Sequence, residues 1–190
     1  MTPPLPPLPA PAVAGRYRIA LVCLGNICRS PVADVVLSTL VADAGLGDRV
    51  EVASCGTAGW HVGKPMDSRS AATLSAAGYD PTHHVAQQWD DGWAERHDLV
   101  LAMDAQNLAD LGGRSERVGL LRDLDPEAAG DLGDLGDLGG VGAEVPDPYY
   151  GGPRGFEEVL AMVERSCAAL VERLPETLQR ASPSGEQGAS

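Results

Sequence analysis

Aromatic residues are scarce in this chain. They make up 4% of its 190 residues, with a single phenylalanine, so a core must be assembled mostly from Val, Leu, Ala and Ile. The length is enough for one domain. Long apolar runs are missing too, and none approaches the ~20 residues that a membrane-spanning helix needs. The amino terminus, Met1 to Ala14, has neither a basic start nor an apolar signal core. A soluble, cytoplasmic protein with no membrane partner is the expectation. Positive charge is in short supply: 14 Lys and Arg stand against 27 Asp and Glu, a formal charge of −13. Nucleic acid normally requires a basic face, so it is not expected as a partner. No second C-x2-4-C pair or H-x3-5-H pair joins Cys23 and Cys28 to complete a metal site, and no metal or organic cofactor is implied. Four cysteines, two of them in one short stretch, fit a reducing compartment better than a disulfide scaffold.

What is present is concentrated in Cys23-Leu24-Gly25-Asn26-Ile27-Cys28-Arg29-Ser30-Pro31. The apolar run Ile19 to Val22 before it reads as a buried strand. A helical pattern follows, with Pro31 in the first turn, where proline is favoured. The stretch therefore joins the carboxyl end of a strand to the amino end of a helix, where open α/β sheets bind ligands. Unpaired N–H groups and the helix dipole suit an anion such as phosphate there. The loop lacks the Gly-Lys-Ser/Thr ending of ATP-type phosphate loops. It carries instead a thiol and a guanidinium. Curled round a phosphate, it would set Cys23 below the phosphorus and let Arg29 grip two oxygens with its planar fork. The positive field would favour the Cys23 thiolate, a nucleophile facing an electrophile.

Along the chain, residues 1 to 15 are proline-rich and read as a disordered tail. Strands are expected at Arg16–Val22, Arg49–Ser54, Asp98–Met103 and Arg117–Leu121. Helices are expected at Ser30–Gly45, Asp67–Gly78 and Asp104–Leu111, with Asp67 or Ser68 as a cap. This alternation implies parallel βαβ units. Pro126 to Pro146 repeats Gly-Asp-Leu and reads as a flexible acidic insert. Phe156 to Leu174 carries one apolar stripe and reads as a core helix, and Pro175 begins a second disordered tail, 175–190. The domain is then 16–174. Trp89 and Trp93 read as packing residues, and His61, His83 and His97 as surface residues.

The loop Cys23 to Pro31 resembles, without a gap, the signature of the low-molecular-weight protein tyrosine phosphatases. A second motif of that family, Asp147-Pro148-Tyr149-Tyr150, stands downstream, and Ser54, Gly59–Gly63 and Ala102–Asp104 are similar as well. The resemblance implies an α/β fold: a single open four-stranded parallel sheet flanked by helices on both faces, with the phosphate-binding loop after strand 1. It implies hydrolysis of phosphotyrosine in protein substrates through a phosphocysteine. Cys23 would be the nucleophile, and Arg29 with the N–H groups of Leu24, Gly25, Asn26, Ile27, Cys28 and Ser30 would hold the phosphoryl oxygens. Asp147 would protonate the leaving phenolate and then activate water, for which its carboxyl must hold a proton beside an anion. Asn26, Ser30, Ser54 and His84 would support the loop, and Ser30 would donate to the thiolate. Trp60, Tyr149 and Tyr150 would wall a slot for the phenyl ring, lined by Ile27. Cys28 would capture a Cys23 sulfenate as a disulfide. A monomer or weak self-association is expected. Protein-arginine phosphatases share the loop but carry Thr where Ile27 stands. Arsenate reductases need further paired cysteines, and a non-catalytic phosphotyrosine-binding module would lack Cys23, Arg29 or Asp147.

Overall fold

The computed structural model describes residues 7–128 and 143–180. Its centre is a four-stranded, fully parallel sheet in the order β2-β1-β3-β4. The strands are β1 (Tyr17–Cys23), β2 (Val50–Gly56), β3 (Leu99–Ala102) and β4 (Val118–Leu120). The helices are α1 (Arg29–Asp43), α2 (Ser68–Ala76), α3 (Asp91–Arg96), α4 (Ala105–Asp110) and α5 (Pro153–Gln179). A 3-10 turn, Leu121–Leu124, follows β4 directly. The chain goes from β1 to β2 on one side, then crosses to β3 on the other. The order thus reverses at the carboxyl end of β1, which is where such sheets form a binding crevice.

Strand alternation explains the two layers. Tyr17, Ile19, Leu21 and Cys23 point to one face, where they pack with Val32, Val36 and Leu37 of α1 and Val159, Val163 and Leu170 of α5. Ala20 and Val22 point to the other face, against Cys55, Trp93 and Val100. Ala102, Leu108 and Leu120 extend that second layer under α4. A strand covered on both sides reads as a continuous apolar run, as Ile19 to Val22 does. Asp67 caps α2, its carboxylate accepting from the Arg69 N–H at 2.9 Å.

Four expectations are corrected. First, α5 does not stop at Leu174 but runs through Pro175 to Gln179. Proline inside a helix costs roughly 3 kcal/mol. Beyond it Thr177 and Leu178 fall on the buried stripe, and burying a leucine offsets roughly 1.5–3 kcal/mol. Second, the chain before Gly15 is not all tail. Leu8 is 3% exposed, its carbonyl accepts from Arg180 at 3.1 Å, and the Tyr17 hydroxyl donates to Pro9 O at 3.1 Å. The Ala12 N–H donates to Asp98 at 2.7 Å. Proline-rich composition hid a segment whose carbonyls serve as acceptors for the two ends of the domain. Third, α3 was not expected; Trp93 alone among its six residues is buried, so no apolar stripe marks it. Fourth, His97 is buried, stacked on Trp93 with ring centroids 5.0 Å apart. Its Nδ1 donates to the Trp93 carbonyl at 2.7 Å, and burial pushes its pKa down. Most of the acidic Gly-Asp-Leu insert lies outside the described residues, as do 1–6 and 181–190. The insert's ends are anchored: Ala128 and Val145 are buried, and Val145 N–H donates to Met103 O at 2.8 Å.

Candidate active site

Cys23 ends β1 and Arg29 begins α1. The loop between them has to turn sharply, and Asn26 takes the strain. With φ 54° it is the one non-glycine residue at positive φ among the described residues. Left-handed backbone costs roughly 1–2 kcal/mol for an ordinary residue, less for Asn. Four hydrogen bonds hold it there. Its Nδ2 donates to Ser30 Oγ (2.8 Å) and Ser54 Oγ (3.1 Å). Its Oδ1 accepts from the Gln87 N–H (2.9 Å), and its carbonyl lies 2.8 Å from His84 Nε2. A carbonyl only accepts, so Nε2 carries the proton. Burial lowers the His84 pKa, with the bond to Asn26 working the other way, which keeps the ring neutral.

These bonds have a direction. Ser54 donates its one proton to the Asp34 carboxylate, 2.8 Å away, so its oxygen is free to accept from Asn26. Ser30 likewise accepts from Asn26, and its Oγ lies 3.0 Å from Cys23 Sγ and 3.3 Å from Cys55 O. With the Asn26 amide filling one lone pair, the Ser30 hydroxyl can aim its proton at the sulfur. Burial raises the Asp34 pKa against the pull of its two serine partners, Ser54 and Ser38. Gly56 makes the close approach possible. A Cβ there would lie 2.6 Å from Leu24 O and 3.0 Å from Asn26 N.

Arg29 is buried. Its Nη1 donates to Asp104 Oδ2 at 2.5 Å and to Val145 O at 3.1 Å, and its Nη2 to Asp147 Oδ2 at 3.4 Å. Burial works against its charge, but Cys23, Asp104 and Asp147 outweigh it and raise the pKa. Asp104 is itself held as the cap of α4 by the Asn107 N–H at 2.7 Å. Among the described residues, the N–H groups of Gly25, Asn26, Ile27 and Cys28 have no backbone acceptor.

Above the loop is a pocket of about 180 Å³. Cys23, Leu24, Gly25, Ile27, Cys28 and Arg29 form its base; Trp60, His61, Asp147, Tyr149 and Tyr150 form its wall. Asn26 and Ser30 lie beneath, fully buried. Tyr149 and Tyr150 meet edge to face, centroids 4.9 Å apart. Trp60 is 73% and Tyr150 95% exposed, so the wall is open to solvent. His61, expected as a surface residue, is half-buried and belongs to this wall, and a Cβ on Gly25 would come within 3.0 Å of its ring. Cys28 is a buried free thiol, pushed up to about 12 by burial and then by Asp67, with Ser70 opposing. Burial also pushes Cys55 and Cys167 up. No group of residues fit to hold a metal is found among the described residues.

The family model described as "Low molecular weight phosphotyrosine protein phosphatase" matches residues 18–180. A low molecular weight protein-tyrosine-phosphatase of Streptomyces coelicolor is 45% identical over 170 residues, covering 86% of this chain and 96% of that protein. The chain belongs to the low molecular weight phosphotyrosine protein phosphatase family. It is an enzyme that hydrolyses phosphotyrosine. The human low molecular weight phosphotyrosine protein phosphatase is 34% identical over 162 residues, covering 82% of this chain and 94% of that one. Among solved structures, an Entamoeba histolytica protein tyrosine phosphatase with Hepes in its active site superposes with a TM-score of 0.72 at 28% identity. It covers 84% of this chain and 97% of its own. Sequence reasoning left without a role His61 in the pocket wall and four residues that hold the site from outside the pocket: Asp34, Gly56, Arg69 and Asp104. Asp104 had a usable signal, since it follows an apolar strand as Cys23 does.

Proposed function

We propose that this phosphatase works through Cys23, Arg29 and Asp147. The observation that carries the reading is their convergence on one pocket, with Asp147 reaching Arg29 across 118 residues of sequence. The Cys23 thiolate attacks phosphorus as the bond to the phenolic oxygen breaks, and Asp147 passes its proton to that oxygen. The ring leaves as tyrosine, and a phosphocysteine remains. Asp147, now a carboxylate, takes a proton from water as the water oxygen attacks phosphorus. The P–S bond breaks, returning thiolate and inorganic phosphate.

The transition state spreads charge over three equatorial oxygens. The loop N–H groups and the Nε and Nη2 side of Arg29 would receive it, because Nη1 is committed to Asp104 and Val145. Donors already in place need no reorganisation as charge develops. Hepes is a sulfonate, so a tetrahedral anion in the related Entamoeba site is consistent with this assignment. Trp60, Tyr149 and Tyr150 would clasp the phenyl ring. The domain runs from Leu8 to Arg180 in this reading. No helix among the described residues is long and apolar enough to cross a membrane, and we take the enzyme to act in cytoplasmic signalling, as a monomer or weak self-associate.

Pre-steady-state hydrolysis of phosphotyrosine, phosphoserine and phosphoarginine peptides, without metal, tests this. A phosphotyrosine-selective burst that Cys23→Ser abolishes is expected. Preferred turnover of phosphoarginine would overturn the assignment of Ile27 as a tyrosine-selective contact. Binding without turnover would sink the catalytic reading itself.

A further inference from the structure

Arg69 belongs to neither the phosphate loop nor the Asp147 loop, yet short links join it to both. It sits in the first turn of α2, two residues after the Asp67 cap. The Asp67 N–H donates to Ile27 O in the phosphate loop at 2.8 Å. The Asp67 carboxylate takes the Arg69 guanidinium as a fork, Nε to Oδ1 at 3.0 Å and Nη2 to Oδ2 at 2.9 Å. The third nitrogen, Nη1, donates to the Tyr149 carbonyl at 2.9 Å. The guanidinium carbon lies 5.3 Å from the Tyr149 ring centroid and 4.7 Å from that of Phe156. Tyr149 N–H in turn donates to Asp147 Oδ1 at 3.1 Å.

A planar fork that serves a carboxylate, a carbonyl and two ring faces at once has one orientation available. Exposed ion pairs contribute little to stability, so this arrangement matters more for where it holds the Tyr149 backbone. Asp147 has two hydrogen-bonded contacts, Arg29 Nη2 and Tyr149 N–H. A phosphate bound to Arg29 competes with the first. What then keeps Asp147 aimed at the leaving oxygen is the second, and Arg69 fixes it.

We propose that Arg69 is a positioning residue for Asp147, tying the acid's loop to the phosphate loop so that proton donor and nucleophile share one frame. The inference rests on the reading of Asp147 as general acid, and the experiment separates the two. It compares kcat/KM for phenyl phosphate, whose poor leaving group needs the proton, with 4-nitrophenyl phosphate, whose leaving group does not. Asp147→Asn should lose roughly 10²- to 10⁴-fold on phenyl phosphate and much less on the nitrophenyl ester. Arg69→Met should lose roughly tenfold to a hundredfold on phenyl phosphate and stay within about twofold on the nitrophenyl ester. Arg69→Lys keeps the charge, loses the fork, and should show the same selective loss; it carries the test if the Met variant does not fold. A graded Asp147→Asn with both Arg69 variants losing equally on the two esters, or losing nothing, overturns the role of Arg69 alone. An Asp147→Asn that falls equally on both esters overturns the general-acid reading, and the inference with it.

Discussion

The base and the wall of the pocket are built in opposite ways. The base, from Cys23 to Ser30, is tied into the interior. Asn26 and Ser30 are fully buried, Arg29 nearly so, and their hydrogen bonds run to β2, α4 and the 84–87 segment. The wall, Trp60 with Asp147, Tyr149 and Tyr150, stands in solvent and rests on a few bonds, those of Arg69 and Arg29 among them. The contrast fits what each part would handle in the proposed site. Phosphate is small and always the same, so fixed donors stabilise it at no reorganisation cost. The polypeptide around a phosphotyrosine varies, and exposed rings that adjust can accept many sequences.

The largest effect should come from breaking the base at Arg29. Arg29→Lys keeps one charge but cannot serve Asp104, Val145 and a phosphate together. We expect kcat/KM to fall by roughly 10³-fold, with thermal melting changed far less. Steady-state kinetics beside calorimetry checks this. A variant within tenfold of wild type would mean that charge alone suffices.

Asn26→Ala comes next. It removes the three side-chain hydrogen bonds and leaves a residue less suited to positive φ. Each lost buried bond costs about 0.5–1.5 kcal/mol, so denaturant unfolding should show a loss of about 2–3 kcal/mol. The same change lets the Ser30 hydroxyl turn to Cys55 O, and phosphocysteine formation should slow by roughly 10²-fold. Rapid-quench measurement of the burst separates that step from stability. A stable Asn26→Ala enzyme with a normal burst would show that the loop holds its shape without the network.

How much of this was legible beforehand depends on the range of the interaction. The β1 run and the α5 stripe are local patterns, readable from spacing; the Cys23 loop was readable as a strand-to-helix anion site, and its further roles came from the family resemblance. The partner of Arg29 was not. Asp104 lies 75 residues away, and only the pairing of β1 with β3 brings them together. Arg69 and Tyr149 are 80 residues apart and meet for the same kind of reason. Asp34 could have been suspected, because it lies one turn after Ser30 on a helix whose first residues are buried. Pro175 misled because a strong local breaker lost to burial of the residues after it. Leu8 and Pro9 misled because their role is to offer a side chain and carbonyls to distant partners.

The base should also govern oxidation. If peroxide converts Cys23 to a sulfenic acid, disulfide formation needs the Cys28 thiolate to attack that sulfur and release hydroxide. Burial and Asp67 push Cys28 up to about 12, so at neutral pH nearly all of it is thiol. The thiolate fraction, and with it the rate of capture, should climb about tenfold per pH unit from pH 6 to 9. Mass spectrometry of peroxide-treated protein, quenched over time, reads the Cys23–Cys28 disulfide directly. A rate independent of pH would mean that Cys28 does not attack as a free thiolate.

The wall should yield the smallest change, and Tyr150 is the place to look because it is 95% exposed. Removing an exposed ring costs the fold within about 0.5 kcal/mol, so melting should not move appreciably in Tyr150→Ala. In the proposed site the ring would contribute binding that is the same in ground and transition state, and such losses raise KM while kcat holds. An increase in KM of roughly threefold to tenfold for a phosphotyrosine peptide is expected, from about 0.5–1.5 kcal/mol of aromatic contact. Phosphate inhibition should be unchanged, since in the proposed site phosphate would touch only the base. A Tyr150→Ala enzyme that lost kcat instead would place Tyr150 with Arg69 in holding Asp147, and the division between an adjustable wall and a fixed base would then run between Trp60 and the tyrosines.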